Sequence, residues 1–119
     1  MGLITGSLGK IAYDVMLMAS NEFGELYEPF VKGRGASSTM PQKRNPISSE
    51  LMLACAKGVR QQAGLMLDAM VQDLERATGP WHAEWIAIPE SFILSAGALK
   101  QARFMLGGLI VDEAAMAKT

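Results

Sequence analysis

The stretch Gly33-Arg34-Gly35-Ala36-Ser37-Ser38-Thr39-Met40-Pro41-Gln42-Lys43-Arg44-Asn45-Pro46 gathers the groups in this sequence best suited to chemistry. Its two glycines permit a tight backbone. Ser37, Ser38 and Thr39 offer hydroxyls and nearby N–H donors, and Lys43 and Arg44 supply positive charge. Asn45-Pro46 reads as a helix start, with Asn as the cap and Pro preset for the first helical position. A helix N-terminus attracts anions. Together these features describe a site for a carboxylate or a phosphate. A serine there ionises more easily than a free one, because neighbouring cations and the helix dipole favour its alkoxide. Residue types and spacing alone leave a solvated basic loop equally open, since the run has neither nucleotide-loop nor metal-ligand spacing.

The elements that must position this run are helical. From Ser7 to Gly24, Leu8, Ile11, Val15 and Met18 recur at helical spacing, with Ser7 as cap, Gly24 as terminator and a Lys10–Asp14 pair on the opposite face. From Leu26 to Asn45 no period is visible, and an aperiodic stretch of about twenty residues in a compact chain is usually functional or disordered. From Asn45 to about Arg76 the seam Met52, Ala56, Val59, Ala63, Met66, Met70 and Leu74 predicts a second helix of ~30 residues, ~45 Å long. Gly58 and Gly64 inside it predict close helix contacts. After the break at Thr78-Gly79-Pro80, a third helix carries Trp85, Ile88, Phe92, Ser95, Leu99, Ala102, Leu106 and Leu109 on its seam. Pro89 should bend or restart it. Gly107-Gly108 closes it, and Asp112 caps a short final helix over Glu113 to Lys118. The fold class is therefore all-α, a long-helix bundle with three main helices. Leu51, Leu65, Leu67 and Val71 on the second helix, and Ile93, Leu94, Ala96 and Met105 on the third, lie off the main seams. Helices apolar on several sides must be surrounded by other helices, so further helices from identical chains or from additional sequence are expected.

Composition bounds the function. Of 119 residues 50% are hydrophobic and 19% charged, which argues against disorder. Eleven basic residues against twelve acidic ones leave a formal charge of -1, unsuited to coating nucleic acid. No apolar run reaches the ~18 residues of a membrane span, and the start lacks a signal-peptide pattern. The single cysteine, Cys55, cannot form an internal disulfide, so a cytoplasmic location is expected. Nine Met against four Phe predict a soft, aliphatic core.

The central run resembles the signature of the fumarase/aspartase superfamily, Gly-Ser-Ser-x-Met-Pro-x-Lys-x-Asn-Pro. Ser37 to Pro46 match every fixed position, and Ala36 stands where the family usually has Gly. The resemblance extends over nearly the whole chain, through Leu8-Gly9-Lys10-Ile11-Ala12-Tyr13-Asp14, Glu22-Phe23-Gly24-Glu25, Glu75-Arg76 and Ala83 to Glu90. Where adenylosuccinate lyases usually carry a phosphate-binding arginine, this chain has Trp85. Gly79-Pro80-Trp81-His82-Ala83-Glu84-Trp85 is instead similar to the Gly-Gly-Trp-Gln-Ala-Glu-Trp of 3-carboxy-cis,cis-muconate cycloisomerases, as are Gly33-Arg34-Gly35 and Gln101-Ala102-Arg103-Phe104.

This resemblance implies proton transfer at a carbon next to a carboxylate, without a cofactor or metal. In that branch a substrate carboxylate closes onto its own double bond to form a lactone. Ser37 matches the family's proton-moving serine. Lys43 and Asn45 match its carboxylate-stabilising pair, and Ser38, Thr39, Met40 and Arg76 are the further substrate-binding candidates. The implied partners are a small polycarboxylate and identical subunits, since family members are tetramers built through long helices; neither nucleic acid nor membrane is expected. Family chains are several times longer, so the chain is expected to be part of the central helical domain, without the N-terminal and C-terminal domains, and inactive alone. A fumarate-releasing lyase of the adenylosuccinate type and a non-catalytic oligomerisation module are the alternative functions.

Other candidates carry competing structural readings. His82 reads as an acid-base group or as a helix-entry residue beside two tryptophans. Trp81 and Trp85 line a ligand pocket or pack a junction. Arg76 binds a carboxylate or complements a helix dipole, and Glu84 and Glu90 are placed to pair with it. Cys55 reads as core.

Overall fold

The computed structural model describes residues 1–30, 45–75 and 78–119. It holds helices α1 (Gly2–Met18), α2 (Ile47–Asp68), α3 (Glu84–Gly107) and α4 (Glu113–Lys118), and two short strands, β1 (Leu26–Tyr27) and β2 (Ile110–Val111). A 3₁₀ turn over Pro80–Ala83 leads into α3. Helix α2 lies in the middle, packed on α1 along one side and α3 along the other, in a rod of 61 × 29 × 24 Å.

Helix α1 begins earlier than its periodicity predicts. Thr5 Oγ1 donates to the Met1 carbonyl at 3.0 Å and Ser7 Oγ to the Leu3 carbonyl at 3.0 Å, so both hydroxyls are absorbed inside the helix and Ser7 is no cap. Packing on α2 extends it: a Cβ on Gly2 would lie 3.7 Å from Ala63 Cβ, and one on Gly9 3.1 Å from Ala56 Cβ. The helix ends at Met18, and Gly24, at φ +58°, reverses the chain toward β1. The Lys10–Asp14 pair forms as its spacing predicts.

Helix α2 is shorter than its seam suggests, with 22 residues ending at Asp68. Beyond it the Asp73 carboxylate accepts the Thr78 N–H at 2.9 Å, a local turn that competes with helix. Met70 and Leu74 are consequently exposed. Gly58 does permit close contact, since a Cβ there would lie 2.8 Å from Leu94 Cδ1; a Cβ on Gly64 would meet nothing within 4 Å among the described residues. Helix α3 runs through Pro89 without interruption, the proline lying in its second turn. Helix α4 forms as expected, with the Asp112 carboxylate accepting from the Ala115 N–H at 2.9 Å.

The core comprises Ala12, Val15, Leu26, Met52, Ala102 and Met105, with Leu8, Ile11, Met18, Leu109 and Met116 around it. Helix α3 turns small residues to α2 and α1: Ala87, Ser91, Ala98 and Ala102 are buried. Most of its predicted seam faces the other way, although Ala102 is buried and Leu109 packs against the core. Trp85 (65% exposed), Phe92 (60%) and Leu99 (51%) stand uncovered, with Ile88 and Leu106 beside them. The alternation of three and four identifies residues that share a face, but it does not say whether that face meets the same chain. No helix among the described residues is long and apolar enough to cross a membrane.

Candidate functional site at the start of the second helix

Of the residues singled out for chemistry, Asn45 is placed by the structure. Ser37, Ser38, Thr39, Met40, Lys43 and Arg76 lie outside the described residues. Asn45 immediately precedes Pro46 and α2, and its carbonyl accepts the Ile47 N–H at 2.8 Å. Its side chain does not cap the helix; Pro46 occupies the cap position, which carries no capping side chain of its own.

The capping group comes instead from Glu28, about twenty residues upstream. Its Oε1 accepts the Ser48 N–H at 2.9 Å and its Oε2 accepts the Ser49 N–H at 2.8 Å. Ser49 Oγ donates to the same Oε2 at 2.6 Å. Both serines are fully buried. A carboxylate that accepts three hydrogen bonds at a helix N-terminus gains from charge assistance and from the dipole together. The next donor, the Glu50 N–H, bonds the Pro46 carbonyl at 3.0 Å. Every N–H of the first turn therefore has a partner within the chain. The helix mouth, expected to attract a ligand anion, already holds one of the chain's own.

A second bond ties this turn to α3: Ser48 Oγ donates to Gln101 Oε1 at 2.9 Å. Glu28 is held from its other side as well. β1 pairs antiparallel with β2, Leu26 opposite Val111 and Tyr27 opposite Ile110, and the Asp112 N–H bonds the Glu25 carbonyl at 2.9 Å. Pro29 lies against Gly108, where any Cβ would fall 2.7 Å from Pro29 Cγ, so that close approach requires glycine.

Glu28, Ser48, Ser49 and Gln101 escape a search for local capping signals, because the acid is remote in sequence. The usable signal was the polar pair Ser48-Ser49 entering an otherwise apolar helix, together with an acid, Glu28, just before a proline.

The other candidates lie elsewhere. His82 packs edge-on to Trp85 with ring centroids 4.6 Å apart and tilts against Trp81 at 5.3 Å, the junction arrangement rather than a polar relay. Glu90 accepts from Gln62 Nε2 at 2.7 Å, bridging α3 to α2. Cys55 faces α3, with its Sγ 3.9 Å from a Cβ built on Gly97. A cleft of about 270 Å³ lies between Met1, Val59, Met66, Ile88 and Phe92. It touches the far half of α2, away from residues 45–49.

A family model described as lyase matches residues 1–60. The chain is 50% identical over 112 residues to 3-carboxy-cis,cis-muconate cycloisomerase from Pseudomonas aeruginosa, covering 94% of this chain and 24% of that protein. It is 51% identical over 116 residues to trans-aconitate decarboxylase 1 from Mycosarcoma maydis, covering 98% and 24%. Among solved structures it superposes on the 3-carboxy-cis,cis-muconate lactonizing enzyme from Pseudomonas putida with a TM-score of 0.87 and 43% identity, covering 98% of this chain and 26% of that one. The chain thus spans about a quarter of the length of these relatives.

Proposed function

Because the chain belongs to the lyase family, within the fumarase/aspartase superfamily, we propose that it is the part of a cycloisomerase that carries the proton-transferring loop and several substrate-carboxylate contacts. In this reading a carboxylate of 3-carboxy-cis,cis-muconate forms a C–O bond to its own C=C bond, and the displaced electron pair moves to the carbon beside a second carboxylate. The proton that ends on that carbon passes through Ser37. Lys43 and Asn45 stabilise the extra charge on the neighbouring carboxylate, an interaction stronger in the transition state than in the ground state. Ser38, Thr39 and Arg76 hold the remaining carboxylates, and Met40 lines the substrate beside them.

The observation that carries this reading is the place of Asn45. It stands next to last in the signature run, before Pro46 and a helix whose first-turn N–H donors are all used internally, and its side-chain amide takes no part in the cap. The exposed stripe of α3, from Trp85 to Leu106, fits coverage by helices of identical subunits or of the rest of a longer protein. A central helical domain of which this chain is a part accounts for that stripe, and a reducing cytoplasm accounts for the lone Cys55.

The test is a graft in which these 119 residues replace the matched quarter of the Pseudomonas aeruginosa cycloisomerase. The graft is expected to lactonise 3-carboxy-cis,cis-muconate, followed by ultraviolet absorbance. Ser37→Ala in it should abolish turnover while leaving substrate binding largely intact. Near-normal turnover by that variant removes Ser37 from the mechanism. The 119-residue chain alone should show no lactonisation.

A second reading comes from the decarboxylase relative. Trans-aconitate and 3-carboxymuconate are both unsaturated tricarboxylates, and loss of CO₂ also leaves an electron pair on carbon that a proton must quench. The same loop serves either outcome, and carbon dioxide release from trans-aconitate by an active graft separates them.

A further inference from the structure

We propose that Glu28 is a positioning residue for Asn45, a role that rests on the function proposed above. The carboxylate clamps the first turn of α2 through the Ser48 N–H, the Ser49 N–H and the Ser49 hydroxyl, at 2.9, 2.8 and 2.6 Å. Asn45 is bonded to that turn through its carbonyl and the Ile47 N–H. A rotation of the turn therefore carries Asn45 with it. The clamp also fills the helix mouth with an internal anion. A substrate carboxylate is thereby directed to the side chains that precede the helix instead of to its backbone N–H groups. Ser48 and Ser49 are fully buried and Glu28 is half-buried, so bulk water does not readily replace the carboxylate at these donors. Glu28 reaches the site because β1–β2 pairing and the Pro29–Gly108 contact hold its backbone.

The experiment has two arms. In the full chain, amide exchange is compared between wild type and Glu28→Gln. A glutamine keeps one acceptor and turns an NH₂ toward the second N–H, so protection at Ser48 and Ser49 should fall at least tenfold while α3 amides hold, and the Asn45 side-chain resonances should move. In the cycloisomerase graft, assayed well below each variant's melting temperature, Glu28→Gln should lower kcat about tenfold or more with KM within about threefold. Glu28→Asp, which keeps the charge, should recover part of that loss. Where Glu28→Gln fails to fold, Ser49→Ala replaces it, retaining both N–H bonds and losing less kcat. Equal protection at Ser48 and Ser49 overturns the proposal, as does a lowered melting temperature with unchanged kcat. If the parent graft does not lactonise, the functional reading falls and the exchange arm alone judges the clamp.

Discussion

Two glycines on adjacent helices give a calibrated test of how closely α1 and α2 pack. Replacing a helix-interior Gly by Ala gains about 1 kcal/mol from backbone preference alone. At Gly64 the new methyl meets nothing within 4 Å, so the gain stands. At Gly9 it falls 3.1 Å from Ala56 Cβ and 3.6 Å from Leu53 Cδ1. The Ala56 Cβ has no rotamer to escape by, so the helices themselves must separate. Such overpacking costs typically about 1–3 kcal/mol. Gly64→Ala should therefore be more stable than wild type by about 1 kcal/mol. Gly9→Ala should lie about 1–3 kcal/mol below Gly64→Ala. Urea unfolding followed by circular dichroism measures both, and with m-values of about 1–3 kcal/mol/M the separation amounts to several tenths of a molar or more in midpoint. Equal midpoint shifts for the two variants would refute the close approach of α1 to α2 at Gly9.

Met52→Ala empties a fully buried core position and should destabilise by about 2–5 kcal/mol in the same unfolding assay. Asp112→Ala removes the side-chain cap of α4 and should cost about 1 kcal/mol, read as faster amide exchange at Ala115. Asp14→Asn breaks an exposed pair with Lys10 and should change stability by less than about 0.5 kcal/mol, with little dependence on salt; a larger loss would mean that the pair is more than a surface contact.

The helices were legible because their apolar spacing and punctuation act locally. Asp112 before Glu113 to Lys118 predicted α4 as found, and Lys10 with Asp14 paired as spaced. The superfamily was legible in the run from Ser37 to Pro46, and the lyase match over residues 1–60 agrees with it. The end of α2 was not legible, because Met70 and Leu74 continue the apolar rhythm past Asp68, where a turn through Asp73 and Thr78 takes over. The inward face of α3 was not legible either. Three alanines, a serine and Met105 line it, and most of the larger residues that dominate any periodicity argument point outward. The cap of α2 was misassigned to Asn45 because capping rules look a few residues away, whereas Glu28 arrives through a strand and a tight turn.

The two-residue pairing of β1 with β2 has a consequence out of proportion to its size. It fastens the segment after α1 to the segment after α3, and the acid that closes the mouth of α2 sits one residue beyond the pairing. A pairing of two residues a side opens at low free energy. Each opening of Ile110–Val111 slackens the tether that presents Glu28, so a loosening of this small sheet is felt at the entrance of the middle helix. The ordering of Ile110–Val111 and the ordering of that entrance are thus coupled, although the two are far apart in sequence.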